Sequence, residues 1–232
     1  MTVKGVLFDF SGTLFRVESA VSWLAAALER TGIRMGENET AGTARRLEEA
    51  GALPGGAHPG GPVPQHLTEV WAARDRSAEE HRAAYTGLAR EVPLPRPEVY
   101  DALYERHKEP AAWRPYADAA GVLGELRRRG VRTAVVSNVG WDLRPVFRAH
   151  GLDAWVDAYV LSFEHGVQKP DPRLFLAACQ ALGLTPGEVL MVGDDRRADG
   201  GAAALGCAVH LVDHLPVEER PAGLRPVLGL LG

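Results

Sequence analysis

The chain has 232 residues, of which 46% are apolar and 24% charged, which suffices for a buried core domain and a sizeable insertion. Its formal charge of −4 provides no basic field for nucleic acid, and no apolar run is long enough to span a bilayer. We therefore expect neither a nucleic-acid nor a membrane partner. The two cysteines, Cys179 and Cys207, lie in apolar stretches without metal-ligand spacing, so both are expected to be buried and reduced.

The first predicted strand, Val3–Phe10, is not preceded by a secretory signal pattern, so we expect a cytoplasmic location. No convincing strand follows between Phe15 and about Trp113. In that interval the apolar residues recur with helical periodicity, at Val21–Leu28, Ala41–Ala50, Ala78–Leu88 and Glu98–His107. The glycine- and proline-rich stretch Leu53–Pro64 predicts a mobile loop between these helices.

Strand and helix alternate in the remainder of the chain. Helical spacing is found at Ala117–Arg129 and from Asp171 to Gly183. The apolar, partly β-branched runs predict further buried strands, at Val131–Ser137, Trp155–Ser162, Val189–Gly193 and Cys207–Val212. This alternation predicts an α/β fold, a doubly wound parallel sheet covered by helices on both faces. The expected division is a core domain of residues 1–16 and 113–232, with residues 17–112 as an inserted α-helical domain.

Polar residues follow each convincing strand, at or near its carboxyl end. They form four clusters, Asp9 to Thr13, Ser137-Asn138, Lys169, and Asp194-Asp195. Because the carboxyl ends of the strands in a doubly wound sheet converge on one crevice, we expect these clusters to form one site. Any single cluster of this kind is more often structural than functional, so the expectation rests on all four together.

The charges of these residues indicate a cation site. Asp9, Asp194 and either Asp195 or Asp199 would repel one another if gathered alone, which implies a hard divalent cation with oxygen ligands, and Mg²⁺ is the expected ion. Such an ion would hold a phosphate. Lys169 would supply the compensating positive charge on the other side.

The neutral residues of the clusters indicate phosphate binding. Ser137 and Asn138 can donate hydrogen bonds to non-bridging phosphoryl oxygens. Thr13 is expected to support the turn after the first strand. Gly12 either permits a tight backbone path beside the metal and substrate or is an ordinary turn glycine.

These motifs, in this order, resemble those of the haloacid dehalogenase (HAD) superfamily. The matching segments are Asp9-Phe10-Ser11-Gly12-Thr13, Val135-Val136-Ser137-Asn138, Gln168-Lys169-Pro170-Asp171-Pro172, and Val192-Gly193-Asp194-Asp195 through Asp199. The match covers residues 1–16 and about 113–215. The resemblance implies a Rossmann-like core, with the insertion as a helical cap that closes over the active site and selects substrates.

The resemblance also implies a magnesium-dependent phosphatase for a small phosphorylated metabolite, with a monomer and a homodimer both open. Asp9 would attack phosphorus to give an aspartyl phosphate that water hydrolyses. Mg²⁺ would be held by Asp9, the backbone carbonyl of Ser11 and Asp194. Asp195 and Asp199 would support these ligands, or Asp199 would cap the helix that begins near it.

Ser11 departs from the family pattern, in which phosphatases usually carry a second aspartate two residues after the first. Such a general acid and base is typically worth about 10²–10⁴ in rate. The substrate therefore has a good leaving group, a cap residue supplies the proton, or turnover is slow and the chain binds phosphate or regulates. The cap histidines that could supply the proton are His58, His66, His81 and His107.

The 2-haloacid dehalogenases are a further alternative, because they also lack the second aspartate and use the first one against carbon without a metal. They normally lack the magnesium-binding acidic pair. The segment Gly193-Asp194-Asp195 therefore favours phosphorus over carbon as the electrophile.

Overall fold

A computed structural model describes residues 2–231, and its strands and helices follow the predicted order. The strands are β1 (Gly5–Phe8), β2 (Phe15–Val17), β3 (Trp113–Pro115), β4 (Arg132–Ser137), β5 (Ala158–Leu161), β6 (Val189–Gly193) and β7 (Ala208–Leu211). The helices are α1 (Ala20–Thr31), α2 (Glu37–Glu49), α3 (Thr68–Ala73), α4 (Ala78–Arg90), α5 (Glu98–Arg106), α6 (Ala119–Arg128), α7 (Arg144–Ala149), α8 (Ser162–His165) and α9 (Pro172–Leu182). A 3₁₀-helix spans Asp199–Leu205.

The centre of the molecule is a five-stranded sheet with the order β5-β4-β1-β6-β7, in which all neighbouring strands are parallel. All four residues of β1 are buried, as a continuous apolar run in a central parallel strand requires. Phe8 is in register with Val135 of β4 and with Val192 of β6. The polar residues that follow these three strands therefore emerge at the same edge of the sheet.

Helices cover both faces of the sheet, which confirms the predicted doubly wound α/β fold. Phe8 lies in the same buried cluster as Val122 of α6, whereas Leu7, which points to the opposite face, lies in a cluster with Phe175 of α9. The helix α9 begins after Asp171, whose side chain accepts a hydrogen bond from a backbone N–H of the first turn, and it ends at a left-handed glycine, as the sequence predicts.

The five helices α1 to α5 belong to the interval between β2 and β3, here called the helical segment (residues 18–112). The expectation of no convincing strand between Phe15 and about Trp113 is wrong at the two ends of that interval, because Phe15–Val17 and Trp113–Pro115 pair as an antiparallel ribbon. Three-residue strands are too short to give a period-2 signal in the sequence. The ribbon brings the two ends of the helical segment side by side, since the Glu18 N–H donates to the Ala112 carbonyl at 2.8 Å.

The glycine-rich stretch Leu53–Pro64 contains neither a helix nor a strand, as predicted. It lies against the core, because Leu53 is buried and the Gly55 carbonyl accepts a hydrogen bond from Ser11 Oγ at 3.0 Å. Its mobility stays a prediction. Within residues 2–231, no helix has the length and apolar character that a membrane crossing requires.

Candidate active site

The four polar clusters converge on one cavity of about 570 Å³ at the carboxyl edge of the sheet. Asp9 follows β1, Ser137 ends β4 and Asp194 follows β6. Lys169, which precedes α9, lines the same cavity, and residues of the helical segment form its other walls. The predicted convergence of these clusters is therefore confirmed.

Lys169 forms the electrostatic centre of the cavity floor. Its ammonium donates to Asp9 Oδ1 and to Asp199 Oδ1, both at 2.6 Å, and only 3% of the residue is exposed. Burial alone lowers the pKa of Lys169, but Asp199 and Asp9 outweigh it, so the pKa lies above its ordinary value and the side chain is charged. The lysine thus compensates part of the negative charge of the cluster.

Asn138 holds the backbone of Lys169 in place. Its Oδ1 accepts from the Lys169 N–H at 2.6 Å, and its Nδ2 donates to the Lys169 carbonyl at 3.0 Å. Both ends of the amide are therefore used to position the lysine. Ser137 is buried and lines the cavity. The donation of hydrogen bonds from Ser137 and Asn138 to a phosphate stays a prediction.

Asp9 carries a strongly perturbed carboxyl group. Burial raises its pKa to about 7, and the neighbouring Asp199 and Asp194 add to the rise, while Lys169 opposes it. Burial also raises the pKa of Asp199. Both rises come first from burial, which disfavours the ionised form of a carboxyl group. An additional cation would favour the ionised forms of all three.

The carboxylates are arranged for such a cation. Asp9, Asp194 and Asp199 each offer an oxygen, and these oxygens all lie within 4.8 Å of one another. Three carboxylate oxygens are hard donors, a set that fits Mg²⁺. The Asp195 carboxylate lies outside this group, because it accepts the N–H groups of Arg197 at 2.7 Å and Ala198 at 2.8 Å and so caps the following turn. The roles predicted for Asp195 and for the Ser11 carbonyl stay predictions.

Gly12 is required by the geometry of the turn. Its φ of +77° lies in the left-handed region, and a Cβ atom at this position would overlap the Asp194 carboxylate and the His214 ring. Thr13 is fully buried, and its Oγ1 donates to Asp194 Oδ1 at 3.5 Å. The turn after β1 therefore positions the carboxylate that follows β6.

Two residues near the C-terminus support this turn and are not found by the sequence analysis. Arg220, 4% exposed, donates to the Gly12 carbonyl at 2.6 Å and to the Thr13 carbonyl, and its guanidinium stacks 3.2 Å from the centre of the Tyr116 ring. His214 Nδ1 contacts Asp194 Oδ2. No local pattern distinguishes Arg220 from the other arginines of the chain.

The helical segment contributes several polar side chains to the cavity. Of the four cap histidines, His58 lines the cavity, with its Nε2 at 3.9 Å from Asp195 Oδ2. His66 pairs with Glu91 on the surface, and His81 and His107 are buried and do not line the cavity, although His81 lies 3.9 Å from the cavity residue Asp75. Further cavity residues that the sequence analysis did not single out are Trp71, Arg74, Asp75 and Tyr85. These follow no motif and belong to the site only because the segment folds over it.

Comparison with known proteins gives relatives of two activities. (S)-2-haloacid dehalogenase 1 from Pseudomonas sp. strain CBS-3 is 36% identical over 114 residues, 49% of each chain. Phosphoserine phosphatase from Thermus thermophilus is 34% identical over 175 residues, 69% of this chain and 66% of that protein. The crystal structure of a HAD phosphatase from Thermococcus onnurineus, 25% identical, matches with a TM-score of 0.58 over 91% of this chain and 86% of that one.

The chain matches about half the length of the dehalogenase and two thirds of the phosphoserine phosphatase. A family model described as haloacid dehalogenase-like hydrolase matches residues 3–206, which is most of the chain. The chain therefore belongs to the haloacid dehalogenase-like hydrolases.

Proposed function

We propose that this hydrolase is a Mg²⁺-dependent phosphatase that acts on a small phosphorylated metabolite. The observation that supports this function is the group formed by Asp9, Asp194 and Asp199, whose oxygens lie within 4.8 Å of one another beside the buried ammonium of Lys169. Such a group suits a phosphate held by a divalent cation on one side and by a lysine on the other.

In this proposal Asp9 is the nucleophile. The Lys169 ammonium engages Oδ1 of Asp9, which leaves Oδ2 to attack phosphorus. The bond from phosphorus to the ester oxygen breaks, the alcohol leaves with a proton taken from solvent, and an aspartyl phosphate remains. Water then hydrolyses the acyl phosphate in a second step. A Mg²⁺ ion bound by Asp9, Asp194 and Asp199 would neutralise charge on the phosphoryl oxygens. Ser137 donates to one of these oxygens, and Asn138 keeps Lys169 in register with Asp9 through its backbone.

Ser11 does not provide this site with a general acid for the leaving oxygen of the substrate. Ser11 Oγ is engaged with the Gly55 carbonyl at 3.0 Å, and a hydroxyl is a poor general acid in any case. We therefore expect turnover to depend strongly on the leaving group, with aryl phosphates faster than alkyl phosphates. In this proposal residues 17–112 form a cap on a core of residues 1–16 and 113–232, and the contact between Ser11 and Gly55 supports closure of that cap over the turn that follows Asp9.

The test is hydrolysis of a panel of phosphate esters by the purified protein, with Mg²⁺ and with EDTA. Activity that requires the metal and is abolished in Asp9→Asn, with the fold retained in the circular dichroism spectrum, is the expected result. Full activity of Asp9→Asn would remove Asp9 from the nucleophile role. Tight binding of beryllofluoride without any turnover would instead indicate a phosphate-binding or regulatory protein.

A second candidate function is dehalogenation of 2-haloacids. Two observations favour it, the absence of a carboxylate at Ser11 and the identity of 36% to a haloacid dehalogenase over 114 residues. Release of halide from 2-haloacids in the presence of EDTA, with no hydrolysis of phosphate esters, would establish this function in place of the phosphatase.

A further inference from the structure

A cation of the helical segment, Arg74, lines the cavity that contains the carboxylate group. Its guanidinium lies over the Trp71 ring, 4.2 Å from the ring centre, and its Nη1 donates to the Trp71 carbonyl at 3.0 Å. Only 18% of the side chain is exposed. The Trp71 ring and carbonyl hold the guanidinium in one orientation, and the carboxylate of the buried Asp75 lies 3.4 Å from its Nε.

This guanidinium is incompletely satisfied. Its Nε is buried and forms no hydrogen bond with any residue between 2 and 231, although Asp75 Oδ2 lies 3.4 Å away. A guanidinium has five N–H donors and remains charged at any pH at which the protein is folded. Arg74 therefore still has N–H donors and a positive charge to offer a ligand in the cavity. Folding has already removed much of the water around Arg74, so binding a ligand there requires little further desolvation of the guanidinium.

Hydrogen bonds connect the backbone around Arg74 to the core residue next to Lys169. Gln168, the residue before Lys169, donates from Nε2 to the Ala72 carbonyl at 3.1 Å and accepts the Asp75 N–H at 3.3 Å. The Gln168 side chain is thus hydrogen-bonded to the backbone on both sides of Arg74. Because Lys169 itself contacts Asp9, the position of the guanidinium relative to the nucleophile is determined by a short chain of contacts.

The other cations of the cavity are not available in the same way. Lys169 is held by two carboxylates, Asp9 and Asp199, whereas Arg74 has one carboxylate neighbour, Asp75, at 3.4 Å. His214 contacts Asp194, and Arg197 and His58 are exposed, with 76% of the His58 side chain open to solvent. Arg74 is the remaining half-buried cation among the residues that line the cavity in the described chain. The cavity volume of about 570 Å³ lies in the range of small-molecule sites and exceeds what a phosphate group alone would fill.

We propose that Arg74 binds a second anionic group of the substrate, so that the preferred substrates are phosphate monoesters that also carry a carboxylate or a second phosphate. This inference rests on the proposed phosphatase function and adds the substrate class to it. Both groups match the planar fork of a guanidinium, which binds them in a bidentate manner. The phosphoryl group to be transferred lies at Asp9, and the second anion lies under the helical segment at Arg74.

The test compares three alkyl phosphates whose tails differ in charge: glycerol 3-phosphate, 3-phosphoglycerate and 1,3-propanediol bisphosphate. In the wild type we expect a higher kcat/KM for the better of the two doubly anionic esters than for glycerol 3-phosphate. The ratio of these two kcat/KM values should therefore exceed one. Arg74→Gln is expected to lower this ratio about 10- to 100-fold, the effect of losing one charged hydrogen-bonding partner. The loss should lie mainly in KM, because the contact is made in both the ground and transition states.

Two variants control for structural effects. Arg74→Lys keeps the charge without the fork and is expected to retain part of the ratio. Arg76→Gln changes an exposed arginine two residues away, outside the cavity lining, and is expected to leave the ratio unchanged. Which of the two doubly anionic esters is preferred identifies the second group as a carboxylate or a phosphate.

Each outcome is decisive. If the wild type hydrolyses glycerol 3-phosphate or p-nitrophenyl phosphate but shows no preference for a doubly anionic ester, the inference about Arg74 is wrong and the phosphatase function stands. The same conclusion follows if Arg74→Gln keeps the preference. If no phosphate ester is hydrolysed in the presence of Mg²⁺, both proposals are overturned.

Discussion

Lys169 forms a buried ion pair and Lys4 an exposed one, and replacement of these two lysines by methionine is expected to have very different effects. Lys169 is 2% exposed at the side chain and contacts Asp9 and Asp199. Its removal leaves two buried carboxylates without their cationic partner, which typically costs about 3–5 kcal/mol. Lys4 pairs with Glu188 at 2.7 Å with 58% and 29% of the two side chains exposed, and such a pair contributes about 0–1 kcal/mol.

The assay is thermal unfolding followed by circular dichroism, in buffer with EDTA so that no metal compensates the charge. For a chain of this size each kcal/mol shifts the Tm by about 2–4 °C, so Lys169→Met is expected to lower the Tm by roughly 6–20 °C. Lys4→Met should lower it by no more than a few degrees. Equal shifts in the two variants would refute the conclusion that Lys169 compensates a buried carboxylate group.

Three further predictions concern the turn, the acid stability and the missing acid. Gly12→Ala places a side chain at a left-handed φ, which costs about 1–2 kcal/mol, and it displaces the Asp194 carboxylate. Isothermal calorimetry should therefore show weaker Mg²⁺ binding. Unchanged binding would contradict the crowding at Gly12. Burial lowers the pKa of His107 from 6.5 to about 3, so the unfolded chain binds a proton that the folded chain does not. The contribution of His107 should be complete well above pH 6.5 and about 2 kcal/mol smaller at pH 5, whereas Asp9, with its folded pKa raised to about 7, acts in the opposite direction over the same range. In urea titrations, the change in stability from neutral pH to pH 5 should therefore be more favourable in His107→Leu than in the wild type by about this amount, an equal change being the contrary result. Ser11→Asp should speed hydrolysis of alkyl phosphates by about 10²–10⁴, provided that the loop at Gly55 moves to admit it, and no gain in kcat would mean that proton donation is not what limits turnover.

The sequence by itself determined the architecture and the main parts of the candidate site. A central parallel strand is buried on both faces and must be a continuous apolar run, so β1, β4 and β6 are visible in the sequence. Residues that follow such strands share one edge of the sheet, which is why Asp9 and Asp194 could be placed together although 185 residues separate them along the chain.

Only the tertiary structure decided which polar groups meet at that edge. It groups Asp199 rather than Asp195 with the other two carboxylates and directs the Asn138 amide to the Lys169 backbone. It also brings Arg220 to the Gly12 carbonyl across 208 residues and places Arg74 in the cavity. Periodicity reports which face of an element is apolar, whereas the direction of a single polar side chain depends on packing against residues distant in sequence, and no local pattern encodes that packing.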